Sequence, residues 1–143
     1  MIEMLFHAHS GLRYLVLLAA LVALVMQALG AFGQKEYGRP SRISMSAFTG
    51  LLDLQMLLGL AMLVLGCFYG ALIGHLMMML LAIAAAHGAS SFARKQADAR
   101  RAHRISLAGV VVALLLVTGG IMSIGRTPIT SSGQPTCAAA HRA

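Results

Sequence analysis

Four long apolar runs alternate with short polar connections along this chain, at roughly residues 11–33, 44–68, 71–90 and 105–124. Each is close to the ~20 residues a helix needs to cross ~30 Å of hydrocarbon. Leu, Ala, Val and Met fill the runs without the alternation of a barrel strand, so the pattern predicts transmembrane helices. The short connections predict an all-α, up-and-down four-helix bundle over residues 1–125, followed by a polar, Pro-containing tail at 126–143. The first run follows a segment with Glu3 and no Lys or Arg, and it is too long for the apolar core of a secretory leader. It reads as a retained helix. The connection near Cys67–Gly70 is very short and predicts a tight hairpin of helices two and three.

Composition narrows the class. Of 143 residues, 59% are hydrophobic and 10% charged, more apolar surface than one soluble core of this length could hide. The formal net charge of +7 would point to nucleic acid in a soluble protein. Here the basic residues lie between apolar runs, where they set topology and meet anionic lipid, so the expected partner is the bilayer and not nucleic acid. Lys35, Arg39, Arg42, Arg94, Lys95, Arg100, Arg101 and Arg104 fall in two connections, against Arg13, Arg126 and Arg142 on the other side. That asymmetry predicts cytoplasmic basic loops and both termini outside. Gly30, Gly50, Gly59, Gly66, Gly109, Gly119 and Gly120 would let helices approach closely. Cys67 and Cys137 fall on one side of the membrane, where an oxidising compartment permits a disulfide but does not require one.

Polar residues in a lipid-facing sequence are the candidates for chemistry. His9 and Arg13 are four residues apart, and Gln27 lies five turns from His9, so the three share one face of helix one. Arg13 either snorkels to the outer headgroups or partners an anionic group beside His9, such as a haem propionate or a quinone headgroup. Asp53, ~14 Å into helix two, should be buried in the bundle, paired or protonated, as an interhelical hydrogen bond, a proton-linked group or a partner that orients a histidine. Gln55 points elsewhere. His75 opens helix three and His87 closes it; twelve residues separate them by ~18 Å and about 120°, so they do different things. By depth, His9 and His75 begin their helices on the same side and could supply two axial nitrogens to one haem iron, with Arg13 near the propionates. His87 is a possible second-site residue. His103, in a basic connection, reads as an interfacial or lipid-phosphate contact, and His7 and His141 as solvent-facing. Met77, Met78 and Met79 read as flexible apolar filler, at most one of them facing the site of His75.

The stretches HSGLRY, LQMLLGL and HLMMMLLAIAAAHG, in that order, resemble a family of short bacterial four-helix membrane proteins commonly labelled cytochrome b. The resemblance covers roughly residues 4–124. It implies that His9, Arg13, His75 and His87 correspond to recurring polar residues, with haem b as cofactor. Helix two of that family often has a histidine before Leu-Gln where this chain has Asp53, which removes a possible ligand. The expected function is a small b-type cytochrome-like subunit for electron transfer in a bacterial inner membrane. One haem would lie between His9 and His75, and a quinone pool or membrane redox complex would be its partner. The alternative is a haem-free structural or assembly subunit of a larger membrane complex. A transporter reading, resting on Asp53 and the methionines, sits poorly with four short helices and no duplication. No nucleophile–base arrangement marks a self-sufficient enzyme.

Overall fold

The structure, a computed structural model, describes residues 1–129. It contains α1 (Ile2–Phe32), α2 (Arg39–Val64), α3 (Ala71–Arg94) and α4 (Ala99–Ser123), with no strand among the described residues. Each helix is long and apolar enough to cross a membrane, and the four form an up-and-down bundle. α3 packs most extensively on α4, and α1 on α2 and α4, while α2 and α3 touch least of the sequential pairs. We refer to the end where α1 and α3 begin as the head, and to the end with the connections 33–38 and 95–98 as the basic end.

The helices outrun the apolar segments because backbone hydrogen bonds continue into amphipathic flanks. α1 begins at Ile2, so His7 and His9 lie within the helix and not before it. α2 begins at Arg39 with Pro40 in its first turn, where a missing N–H costs nothing. The charged segment 92–104 shrinks to a short connection. Asp98 starts α4 there, its carboxylate accepting from the backbone N–H groups of Arg100 (3.1 Å) and Arg101 (3.2 Å). α2 stops at Val64 because Gly66 adopts φ 89°, and the amide of Cys67 returns to the Met62 carbonyl (3.1 Å). The hairpin connection is short as expected, but its two helices do not pack tightly along their length.

The core is built from small and medium side chains: Ala20 and Ala23 of α1, Phe48 and Leu52 of α2, Ala82 and Ala86 of α3, and Val110 and Ala113 of α4. Lipid is as apolar as Leu, so burial alone does not drive membrane helices together. Close backbone approach does. Gly109 sits against Ala89 and the Ala85 carbonyl, and Gly120 against Met78 and Met79, which explains why α3 and α4 pack most closely. Gly30 lies under the His103 ring, Gly59 under His9 and Gly119 beside Met78. Two of the expected packing glycines act otherwise: Gly66 makes the turn, and Gly50 faces outward with no neighbour among the described residues.

Candidate functional site

α1 presents Arg13, Val16, Ala20, Ala23, Gln27 and Gly30 as its buried stripe, the three-and-four spacing of an inward face. His9 begins that stripe at the head. α3 brings His75 to the same level from across the bundle, and the two imidazole rings meet edge to face with centres 6.5 Å apart and planes at 72°. Both rings line a cavity of about 200 Å³ between the helices, together with Arg13, Gln55, Met79 and Ile121. The juxtaposition expected from depth is therefore present.

Each imidazole is held differently. His75 Nδ1 donates to the carbonyl of Gly120 at 2.8 Å, because a carbonyl can only accept. In the neutral ring this leaves Nε2 as the nitrogen with a free lone pair, the arrangement that fixes the tautomer of a metal-binding histidine. His9 packs on Gly59, where a Cβ would crowd its Cε1 at 3.2 Å. Its Nδ1 is buried and takes no hydrogen bond among the described residues, and the same holds for Gln55 Oε1. Gln55 Nε2 donates to the His9 carbonyl at 2.9 Å, tying α2 to α1 beside the ring. Gln55 was missed as a site residue, although Phe48, Leu52, Gln55, Gly59 and Met62 recur at helical spacing on one face of α2.

Arg13 does not snorkel outward. It is only 7% exposed, its guanidinium donating to the Tyr14 hydroxyl (3.0 Å) and the Thr127 carbonyl (3.4 Å). It lines the cavity with the histidines, so the head carries a buried positive charge beside two imidazoles. Met77 and Met79 both line the cavity, one more than expected, while Met78 packs on Gly119 and Gly120. His7 is exposed as expected; His141 and Cys137 lie outside the described residues. Cys67 is held in a disulfide.

Asp53 makes an interhelical contact with a histidine, as expected, and only its burial is corrected. Asp53 is not enclosed by the bundle: its carboxylate oxygens lie 2.9 and 3.0 Å from His87 Nε2, and the two side chains are 47% and 48% exposed. His87 is thus engaged by a carboxylate, turned away from the His75 site as its rotation along α3 required. Asp53 belongs to the rim of α2 because the buried position is its neighbour, Leu52.

His103 is the larger correction. It is 1% exposed and faces the bundle interior at the basic end, not lipid phosphate. Its Nδ1 donates to Gln27 Oε1 (2.9 Å) and its Nε2 faces the Glu36 carbonyl (3.3 Å). Gln27 Nε2 donates in turn to the Ser41 carbonyl (3.0 Å) and Ser44 Oγ (3.2 Å). Tyr37 stacks edge-on to His103 at 5.0 Å and its hydroxyl meets Ser106 Oγ at 2.9 Å. This network ties α1, α2, α4 and the connection 33–38 together. His103→Leu should destabilise the bundle by about 1–3 kcal/mol, because Gln27 Oε1 is left buried without a donor. Unfolding of the purified chain in SDS–detergent mixtures measures it.

Among the described residues no group of three or more His, Cys, Asp or Glu side chains converges on one point. Two imidazoles alone are too few for a closed zinc site, but they suffice for a metal that brings its own equatorial ligands. Comparison of the chain with protein-family models, curated proteins and solved structures finds no match to any of them.

Proposed function

We propose that this chain is a small b-type cytochrome-like membrane subunit for electron transfer, holding one haem b between His9 and His75 with Arg13 beside it. The observation that carries the reading is the paired approach of the two imidazoles inside one cavity at the head. The ring centres are 6.5 Å apart and both rings line the cavity, so His9 and His75 are the residues that would hold the iron of a haem bound there. The carbonyl of Gly120 orients His75, Gly59 leaves room for His9, and the orphaned His9 Nδ1 and Gln55 Oε1 leave that side of the cavity ready to reorganise around a ligand. Arg13 supplies a positive charge for propionates. Bound there, haem would supply a one-electron ferric–ferrous couple.

The cavity is smaller than the ~300–1,000 Å³ usual for small-molecule sites. Accepting a porphyrin therefore requires α2 and α3, the sequential pair that packs least, to part at the head. This reading places the protein in a bacterial inner membrane with the basic end in the cytoplasm and both termini outside. The haem would lie near the outer face, exchanging electrons with quinone or a membrane redox complex. Cysteines introduced at Lys35 or Arg100 should stay unlabelled by impermeant thiol reagents in intact cells and react once the membrane is opened. Labelling from outside reverses the orientation.

A haem-free structural or assembly subunit is the second reading, favoured by the edge-to-face contact the two imidazoles already make. Oxidised and reduced visible spectra of the purified chain, expressed with ample haem, separate the two. A Soret band that shifts on reduction supports the cytochrome. A folded protein without one supports the haem-free subunit.

A further inference from the structure

Asp53 and His87 form an acid–base pair on the outside of a membrane bundle, and no described residue encloses it. Its depth follows from the contact beneath it. Arg94 donates to Ser46 Oγ at 2.8 Å on the same α2–α3 face, and Ser46 and Arg94 are each seven residues from Asp53 and His87. Two turns on both helices put the pair about 10 Å inward from that contact, within hydrocarbon. The surrounding outer positions, Leu54, Leu57, Leu80 and Leu81, are exposed and apolar.

Polar and ionisable side chains at such depth are expected to face protein or water and not lipid. Small residues flank the pair. Ala47 and Ala84 are exposed, and a Cβ added at Gly50 or Gly88 would meet no atom of the described residues within 4 Å. Their small size is not used for packing this bundle, yet small residues beside a polar group are how membrane helices approach one another.

We propose that the α2–α3 face centred on Asp53 and His87 is the contact surface between two copies of this chain in the membrane. The face carries one acid and one base, so it is complementary to itself. A two-fold axis through it sets each copy's Asp53 near the other's His87, and no differently charged partner is needed. Gly50 and Ala47 then let the α2 helices come close enough for those contacts.

The first test is oxidative cross-linking of the full chain in native membranes, carrying Ala47→Cys, Ala84→Cys or, as a control at an exposed position of α1, Leu18→Cys. Cross-linked homodimers are expected from the first two and not from the third. The second is sedimentation equilibrium in detergent: a two-copy mass for the natural sequence, and association at least tenfold weaker for both Asp53→Leu/His87→Leu and Gly50→Leu. Gly50→Leu leaves the acid–base pair in place, so its effect is one of the contact and not of the bundle. The proposal is overturned by a monomeric natural chain, by association indifferent to both variants, or by Ala47→Cys cross-linking only to a different protein. Mass and cross-links are read without haem, so failure here leaves the cytochrome reading standing, and the reverse also holds.

Discussion

With haem held as proposed, His9→Ala is expected to abolish the reduced low-spin haem spectrum of the purified chain, and His75→Ala to do the same. Low-spin six-coordinate iron requires both axial nitrogens, and one remaining imidazole leaves the sixth position open to water or gas. No other described histidine can substitute. His7 is exposed, His87 is engaged by Asp53 on the outer face, and His103 lies at the opposite end in its own network. His103→Leu should therefore weaken the fold while leaving the spectrum of the folded fraction intact. Arg13→Ala should keep the low-spin bands but loosen haem retention or shift the potential, since it removes a positive charge beside the ligands and not a ligand. Gln55→Leu should act in the same direction through the His9 backbone it holds. A low-spin spectrum surviving either histidine replacement would remove that residue from the ligand set.

Gly109→Val should bring a large loss of stability. A Cβ at this position would run into the Cβ of Ala89 and crowd the Ala85 carbonyl at 3.3 Å. Neither obstacle is the end of a flexible side chain, so α3 and α4 must separate along their whole contact. Overpacking usually costs about 1–3 kcal/mol, and the absence of any yielding neighbour puts this variant at or above the top of that range. Gly11→Val is the control: it lies in a helix too, but no described residue stands within 4 Å of its Cβ position. Thermal unfolding in detergent should show a large fall for the first and a small one for the second. Equal falls would mean that helix propensity, and not the α3–α4 approach, is what these glycines govern.

The bundle and the pairing of His9 with His75 were legible in the sequence for a physical reason. Bilayer thickness fixes the length of a span, so depth along one helix can be compared with depth along another. Helical phase was legible where several polar residues agreed: His9, Arg13 and Gln27 share a face, and the inward position of Arg13 and Gln27 follows. What was hidden is rotation where only one polar residue marks a helix. Asp53 stands next to the buried Leu52, and a single residue of phase moved it to the rim. His103 was masked by its neighbours Arg100, Arg101 and Arg104, which suggest an interface. The signal that places it inside is the spacing of His103, Ser106, Val110, Ala113 and Val117, all on the buried face of α4. The Asp98 cap carries α4 past the end of its apolar run, and that extension brings His103 under Gly30.

Electron paramagnetic resonance of the purified oxidised chain, loaded with one equivalent of haem, tests the central claim most directly. Two histidine nitrogens holding one haem iron would give a low-spin ferric signal. The account predicts one such signal saturating at one haem per chain and absent from His9→Ala and His75→Ala. A folded chain that takes up no haem, or that gives only a high-spin signal, would contradict it.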